Sequence, residues 1–124
     1  MSDERLEVGR FGEEVAARYL HDRGFEILDR NWRTGQPRGE LDIVARQGGG
    51  DLVIVEVKTR RNLVAGDPVG GVTAQKLVKL RRLAHAWLQA NPQIRPPGVR
   101  FDVIGVLIGQ GSTRTQVEHL RGVV

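Results

Sequence analysis

Charged residues lie at the end of one strand candidate of this chain and near the start of the strand candidate before it, where they could hold a metal ion. Residues 51–58 read DLVIVEVK, and side chains alternate across a strand, so Glu56 and Lys58 continue the apolar face that begins with Leu52. Charges on a buried face are costly unless they reach water, pair with each other or hold an ion. A strand end that emerges into solvent with a surface ion pair is the alternative to an ion site.

A further carboxylate, Asp42, lies in the preceding strand candidate, on the face predicted to be opposite Leu41, Ile43 and Ala45. A tight hairpin between the two strands lays Asp42 beside the end of the strand that carries Glu56. Neighbouring carboxylates repel each other, and their pKa values rise unless a divalent cation neutralises them. Because hard oxygen ligands suit Mg²⁺ or Mn²⁺, the pair predicts a site for one of these ions.

Two helical residues are candidates to join this site. Glu13 borders the packed face of the first predicted helix and can point toward the sheet, although an acidic residue near a helix start also complements the helix dipole. Lys76 falls on the apolar line of the second predicted helix, together with Leu80 and Trp87, so it faces the sheet. A lysine there requires an anion, which is Glu56, Asp42 or a substrate phosphate.

Periodicity and turn residues predict the elements that position these side chains. Apolar residues at helical spacing predict helices over residues 8–23, with Gly24 as the stop, and from the N-cap Thr73 to residue 90. Loops are predicted over residues 30–40 and 59–72, a glycine-rich hairpin turn over 47–51 and a proline-rich connector over 93–98. The predicted strands are residues 25–28, 41–46, 52–58, 99–108 and 116–120, of which 99–108 is the most apolar and therefore central.

Length and composition indicate one domain over residues 1–124, and the order of the predicted elements indicates an α/β or α+β fold, in which helices flank a mixed β-sheet. No apolar run approaches the roughly 20 residues that span a bilayer, and the chain has no cysteine, so we expect a cytoplasmic protein without membrane attachment. The 19 Lys and Arg residues exceed the 15 Asp and Glu residues, which gives a net charge of +4 and favours a polyanionic partner such as nucleic acid.

The motifs taken together resemble a known group of proteins. The segments GRFGEEVAARYL, RNWR, GELDIVA, VIVEVKTR and RFDVIGV cover nearly the whole chain and look like the YraN-like family of small bacterial proteins. A helical Glu, an Asp and a Glu-x-Lys strand end also resemble the PD-(D/E)XK nuclease superfamily. That resemblance implies a restriction endonuclease-like fold, with helices around a mixed four-stranded sheet, and Mg²⁺- or Mn²⁺-dependent hydrolysis of phosphodiester bonds.

The same resemblance implies a role for each site residue. Asp42, Glu56 and the carbonyl of Val57 would bind the metal ion, Lys58 would be the catalytic lysine, and Glu13 would be an accessory catalytic carboxylate. The supporting polar residue of the second helix would be Gln75 or Lys76. No Pro-Asp pair precedes the strand, because the sequence there reads Gly39-Glu40-Leu41.

Further basic residues lie close to these positions in the sequence. They are Arg33, Arg38, Arg60 and Arg61, which with Gln75 are predicted to contact nucleic-acid phosphates. We therefore expect a nuclease-like protein that acts on DNA in preference to RNA and forms a weak homodimer. Two alternatives remain open, an inactive nucleic-acid-binding protein with the same fold and a structural protein whose carboxylates form ion pairs with Lys58 and Lys76.

Overall fold

The computed structural model describes residues 3–61, 72–109 and 114–123, which form two helices and five strands. In chain order they are α1 (Asp3–Asp22), β1 (Glu26–Arg33), β2 (Glu40–Arg46), β3 (Leu52–Arg60), α2 (Ala74–Ala90), β4 (Val99–Leu107) and β5 (Gln116–Leu120). Neither helix of this described part is long and apolar enough to cross a membrane.

The five strands form one mixed sheet in the order β1-β2-β3-β4-β5. Strands β3 and β4 are parallel and every other neighbouring pair is antiparallel, because α2 carries the chain back between β3 and β4 while a short turn joins β2 to β3. Strand β4 is buried along most of its length and lies inside the sheet, as its apolar run predicts. The mixed α/β architecture is confirmed, with five strands in the sheet.

A helix covers each face of the sheet. Alternate residues of β3 divide between two cores, so that Val53 and Val55 pack on the α1 side with Ala16 and Leu20, whereas Ile54 packs on the α2 side. The α2-side core includes Leu52, Leu80, Leu83 and Trp87. The predicted alternation of β3 is therefore confirmed, and its two apolar faces account for the run of buried residues before Glu56.

The β2 alternation predicted around Asp42 is wrong at one position. Ile43 and Ala45 belong to the α1-side core, but Leu41 packs in the α2-side core together with Val44. Strict alternation therefore stops at Asp42. The last β2–β3 pair in the ladder is Ile43 with Val55, so the strands separate where the acidic residues begin.

Several predicted boundaries differ from the structure where the sequence is polar. Helix α1 begins at Asp3 instead of residue 8, because its first turns carry exposed side chains without apolar periodicity. Strand β1 continues through residues 30–33, which were predicted to be a loop, because a strand at the sheet edge pairs on only one side and tolerates polar residues. Strand β3 extends to Arg60, into the loop predicted over residues 59–72, and residues 62–71 of that loop lie outside the described residues. Strand β4 ends at Leu107, one residue earlier than predicted.

The predicted cap and the short C-terminal strand are confirmed. Thr73 has extended backbone angles and its Oγ1 accepts a hydrogen bond from the Lys76 amide at 3.1 Å. Strand β5 spans Gln116–Leu120 and pairs with β4.

Asp102, which is buried in β4, ties the C-terminal segment to the sheet. Its carboxylate accepts two hydrogen bonds from Arg100, one from the Gly122 amide at 3.0 Å and one shared with His119 Nε2 at 2.8 Å. Burial raises the pKa of Asp102, but these hydrogen bonds outweigh burial and leave the pKa below its ordinary value. Asp102 therefore has a structural role.

Helix α1 approaches β3 so closely at Gly12 that no side chain fits there. A Cβ on Gly12 would lie 1.8 Å from Oγ1 and 2.7 Å from Cβ of Thr59, and a new rotamer cannot move the Thr59 Cβ. We expect Gly12→Ala to lower the free energy of unfolding by about 3 kcal/mol, measured by urea denaturation.

A matched change three residues earlier provides the control. A Cβ on Gly9 would meet no atom within 4 Å, so Gly9→Ala should leave stability unchanged or raise it by about 1 kcal/mol through helix propensity. Combining Gly12→Ala with Thr59→Gly removes every clashing atom and should recover part of the loss. Equal stability of the Gly12 and Gly9 variants would contradict the close approach.

Candidate metal centre

Three carboxylates meet where α1 passes the start of β2. Glu13 of α1 and Glu40 and Asp42 of β2 each offer one oxygen, and these oxygens lie within 4.8 Å of one another. Glu40 and Asp42 can act together because residues two apart project from the same side of a strand. All three side chains are half-buried, so their charges are only partly screened by water.

Asp42 is the central member of this group. Its Oδ2 accepts a hydrogen bond from the Val57 amide at 2.9 Å, which replaces a backbone bond beyond the last β2–β3 pair. Burial raises the pKa of Asp42, the Val57 amide lowers it, and the charges of three neighbouring glutamates raise it further, to about 7. Those neighbours are Glu13, Glu56 and Glu40.

Glu13 points toward the sheet, as one of its two sequence interpretations predicts. Burial raises the pKa of Glu13, a side-chain hydrogen bond with Asn31 lowers it, and the charge of Glu40 raises it further. Asn31 has a φ of 51°, a left-handed conformation that asparagine tolerates better than most residues. This unusual backbone on the edge strand gives Glu13 a polar partner.

Glu56 lies outside the group of three, although its charge raises the pKa of Asp42. Its Oε1 forms a salt bridge with Lys76 Nζ at 2.6 Å, and only 16% of the Glu56 side chain is exposed. The prediction that Lys76 faces the sheet and meets an anion is thus confirmed. The other oxygen, Oε2, is buried and has no hydrogen-bond partner among the described residues. It is an acceptor available to a cation or to water.

Lys58 follows on the same face of β3 and lines a groove at the end of the sheet. The groove has a volume of about 240 Å³, and Arg60 and Glu118 also line it. Lys58 and Arg60 are half-buried, and both interact with other groups of the protein. The structure therefore places two cations of β3 just beyond Glu56.

The other residues predicted to contact nucleic acid occupy different surroundings. Arg33 Nη2 forms a salt bridge with Glu40 Oε2 at 2.6 Å, and Arg61 Nη1 forms one with Glu4 Oε1 at 2.5 Å. Arg38 is exposed just before β2, and Gln75 is exposed in the first turn of α2. Arg33 is thus the one of these that directly contacts the acidic group.

Two residues of this centre, Glu40 and Asn31, were absent from the sequence prediction. Glu40 carried a signal, because it precedes Asp42 by two positions and so shares its side of the strand. Asn31 carried none, because its contact with Glu13 depends on a positive φ within a segment that was predicted to be a loop.

The residues present fit a divalent cation of the Mg²⁺ or Mn²⁺ type. All candidate donors are carboxylate oxygens, the ligands that these hard cations prefer. Glu56 Oε2 is a buried acceptor without a donor among the described residues, and burial together with the charges of neighbouring glutamates raises the pKa of Asp42. Glu13, Glu40 and Asp42 would hold the ion, and Glu56 lies close enough to Asp42 for its charge to raise the pKa of that residue.

Comparison with known proteins extends over almost the entire chain. The model of a family described as Uncharacterised protein family UPF0102 matches residues 12–106, which include all five predicted catalytic positions. A UPF0102 protein of Kineococcus radiotolerans is 49% identical, covering 94% of this chain and 92% of the relative. A UPF0102 protein of Streptomyces coelicolor is 49% identical over 94% of this chain and 87% of its own length. A UPF0102 protein of an Arthrobacter species is 50% identical over 94% of this chain and 94% of its own length.

Proposed function

The chain belongs to Uncharacterised protein family UPF0102, the YraN-like family, and we propose that it is a metal-dependent nuclease that hydrolyses phosphodiester bonds in nucleic acid. DNA is the preferred substrate in this proposal and RNA the alternative. The net charge of +4 supports a polyanionic substrate, since it favours association with phosphates of either polymer.

One observation carries the proposal, which is the convergence of Glu13, Glu40 and Asp42 with oxygens within 4.8 Å of one another. Burial raises the pKa of Asp42 and the charges of the neighbouring glutamates raise it further, so the ionised group costs stability unless a cation neutralises it. A group with a purely structural role would be expected to pair with cations, as Asp102 does with Arg100. Arg33 meets Glu40 at the edge of the group, and Asp42 accepts its hydrogen bond from the neutral Val57 amide.

The chemistry follows from the charges around this centre. A bound divalent ion would lower the pKa of a coordinated water and polarise the scissile phosphate. Asp42 has to lose its proton to contribute its charge, and the Val57 amide stabilises that ionised form. Lys58 supplies an ammonium group that would stabilise negative charge developing on the phosphate. Lys76 fixes the orientation of Glu56 through their salt bridge.

The finer fold assignment is part of the same proposal. A restriction endonuclease-like fold of the PD-(D/E)XK superfamily is supported by the mixed sheet with a helix on each face. The location of Glu56 and Lys58 toward the end of β3 agrees with the Glu-x-Lys element of that superfamily. We also propose a cytoplasmic location and a weak homodimer.

Hydrolysis of labelled oligonucleotides tests the proposal. Single-stranded, duplex and branched DNA and RNA are incubated with Mg²⁺ or Mn²⁺, and the wild-type protein is compared with Glu56→Gln and Lys58→Met. We expect cleavage by the wild type and a loss of most of it in both variants. Lys79→Met, at an exposed position on α2, controls for the loss of one positive charge.

Two outcomes would replace this proposal. Binding of oligonucleotides without cleavage under any metal condition would leave a nucleic-acid-binding protein that has the same fold and no activity. Absence of both polynucleotide binding and Mn²⁺ binding, the latter measured by calorimetry, would leave the ion pairs as structural features, of which Glu56 with Lys76 is an example.

A further inference from the structure

A cleft of about 440 Å³ opens between α1 and the edge of the sheet, directly beside the acidic group. Glu13 and Glu40 form part of its wall, so anything bound in the cleft contacts the candidate metal centre. The other side chains that line it include Leu6, Arg10, Asn31 and Arg33.

The helical wall of the cleft follows from residue spacing. Leu6, Arg10 and Glu13 are separated by four and three positions, so they form one line along α1. Leu6 is 44% exposed, so it offers apolar surface to a bound group. Arg10 is exposed, and no hydrogen bond or ion pair joins it to another residue of the described part of the chain. This wall thus presents an apolar, a cationic and an acidic side chain in order.

The opposite wall presents polar donors from β1. Asn31 already bonds to Glu13, and Arg33 forms its salt bridge with Glu40 while 76% of its side chain remains exposed. A guanidinium group has five N–H donors, so the Glu40 contact leaves several of them available. Arg33 can therefore bind a second anion without releasing Glu40.

The balance of charge decides when the cleft attracts an anion. Arg10 and Arg33 are matched by Glu13 and Glu40, so the metal-free cleft carries no surplus of positive charge. A divalent ion held by the carboxylates would add two positive charges and leave the arginines free to act on a phosphate. Binding of the metal ion and binding of the phosphate should therefore strengthen each other by the same factor.

We propose that this cleft binds one nucleotide of an unpaired strand, with its phosphate on Arg10 and Arg33 and its sugar or base against Leu6. The proposal rests on the nuclease function above and specifies the substrate as single-stranded at the cleavage site. The cleft volume lies near the lower end of the range of about 300–1,000 Å³ for small-ligand sites, which suits one nucleotide and is too small to enclose a base pair.

Binding of an uncleavable strand tests the proposal directly. The probe is a fluorescent oligothymidylate with phosphorothioate linkages, and its dissociation constant is measured by anisotropy with and without Mn²⁺. Arg10→Gln should weaken binding about tenfold in Mn²⁺, because a charge-assisted phosphate contact is lost. Arg18→Gln makes the same change at an exposed site of α1 that does not line the cleft, and it should change binding less than about twofold.

Each result has a definite consequence. An Arg10-specific loss that appears only with Mn²⁺, while calorimetry shows unchanged Mn²⁺ affinity, supports the subsite. Equal losses in the Arg10 and Arg18 variants, or tighter binding of the duplex form, would overturn it. If binding depends on Arg10 but the wild type does not cleave a normal strand, only the nuclease function is rejected. If Arg10→Gln cleaves the strand with an unaltered KM, only the subsite is rejected.

Discussion

Replacing Asp42 with asparagine is expected to abolish Mn²⁺ binding and hydrolysis while it stabilises the metal-free protein near neutral pH. The amide oxygen of asparagine can still accept the hydrogen bond from the Val57 amide, so the geometry at the end of the β2–β3 ladder is retained. Only the negative charge is removed. Because that charge is the central one of the acidic group, Mn²⁺ affinity should fall at least about a hundredfold.

The gain in stability follows from the pKa of Asp42. This pKa is raised from 3.8 to about 7, so ionising the carboxyl group requires more free energy in the folded protein than in the unfolded chain. Above pH 7 the substitution should recover up to roughly 4 kcal/mol of that cost, since one pKa unit corresponds to about 1.4 kcal/mol. Opposite effects on stability and on metal binding identify a residue that is kept for its function.

Urea denaturation and calorimetric Mn²⁺ titration of the same samples measure the two effects. Asp22→Asn is the matched control, because it makes the same chemical change at an exposed position of α1, away from the acidic group. It should alter neither quantity. If Asp42→Asn were less stable than the wild type at pH 8 and bound Mn²⁺ equally well, Asp42 would be a structural acid.

Much of the centre could be predicted from the sequence because it depends on strand geometry. Alternation along β3 brings Glu56 and Lys58 onto the α2 face, and the short turn between β2 and β3 brings Asp42 next to Val57. The helical periodicity of α1 likewise orients Glu13 toward the sheet. These relations hold whenever regular elements form, so they need no knowledge of tertiary packing.

The remainder depends on departures from regular geometry. The left-handed backbone at Asn31 and the packing of Leu41 on the unexpected face both occur where β1 and β2 reach their ends. Such irregularities arise from packing between elements that are distant in the sequence. The positive φ at Asn31 provides the polar partner of Glu13, a contact that the sequence pattern does not indicate.

The stability of the metal-free protein is expected to fall as the pH rises from about 4 to about 7. The folded state holds the Asp42 proton up to pH 7, whereas the unfolded chain releases it near pH 4, so the folded state binds more protons across this range. Glu13, whose pKa is also raised, contributes with the same sign. The pKa of Asp102 is lowered, so its effect on the stability has the opposite sign. The stability that Asp102 contributes is lost only below about pH 4.

Bound Mn²⁺ should reverse this dependence, because the ion competes with the Asp42 proton. Mn²⁺ affinity is then expected to rise through pH 7, and each binding event near pH 6 should release a proton, since the carboxyl group is protonated there before the ion binds. Calorimetry in buffers of different ionisation enthalpy counts the protons released, and urea denaturation at pH 5 and pH 8 follows the stability. The Asp42→Asn variant should show neither the released proton nor most of the decline in stability. If the wild type and the variant showed the same dependence of stability on pH, Asp42 would already be ionised at pH 5. The protein itself would then relieve the repulsion among these carboxylates. In that case the physical reason for a cation at this position would be removed.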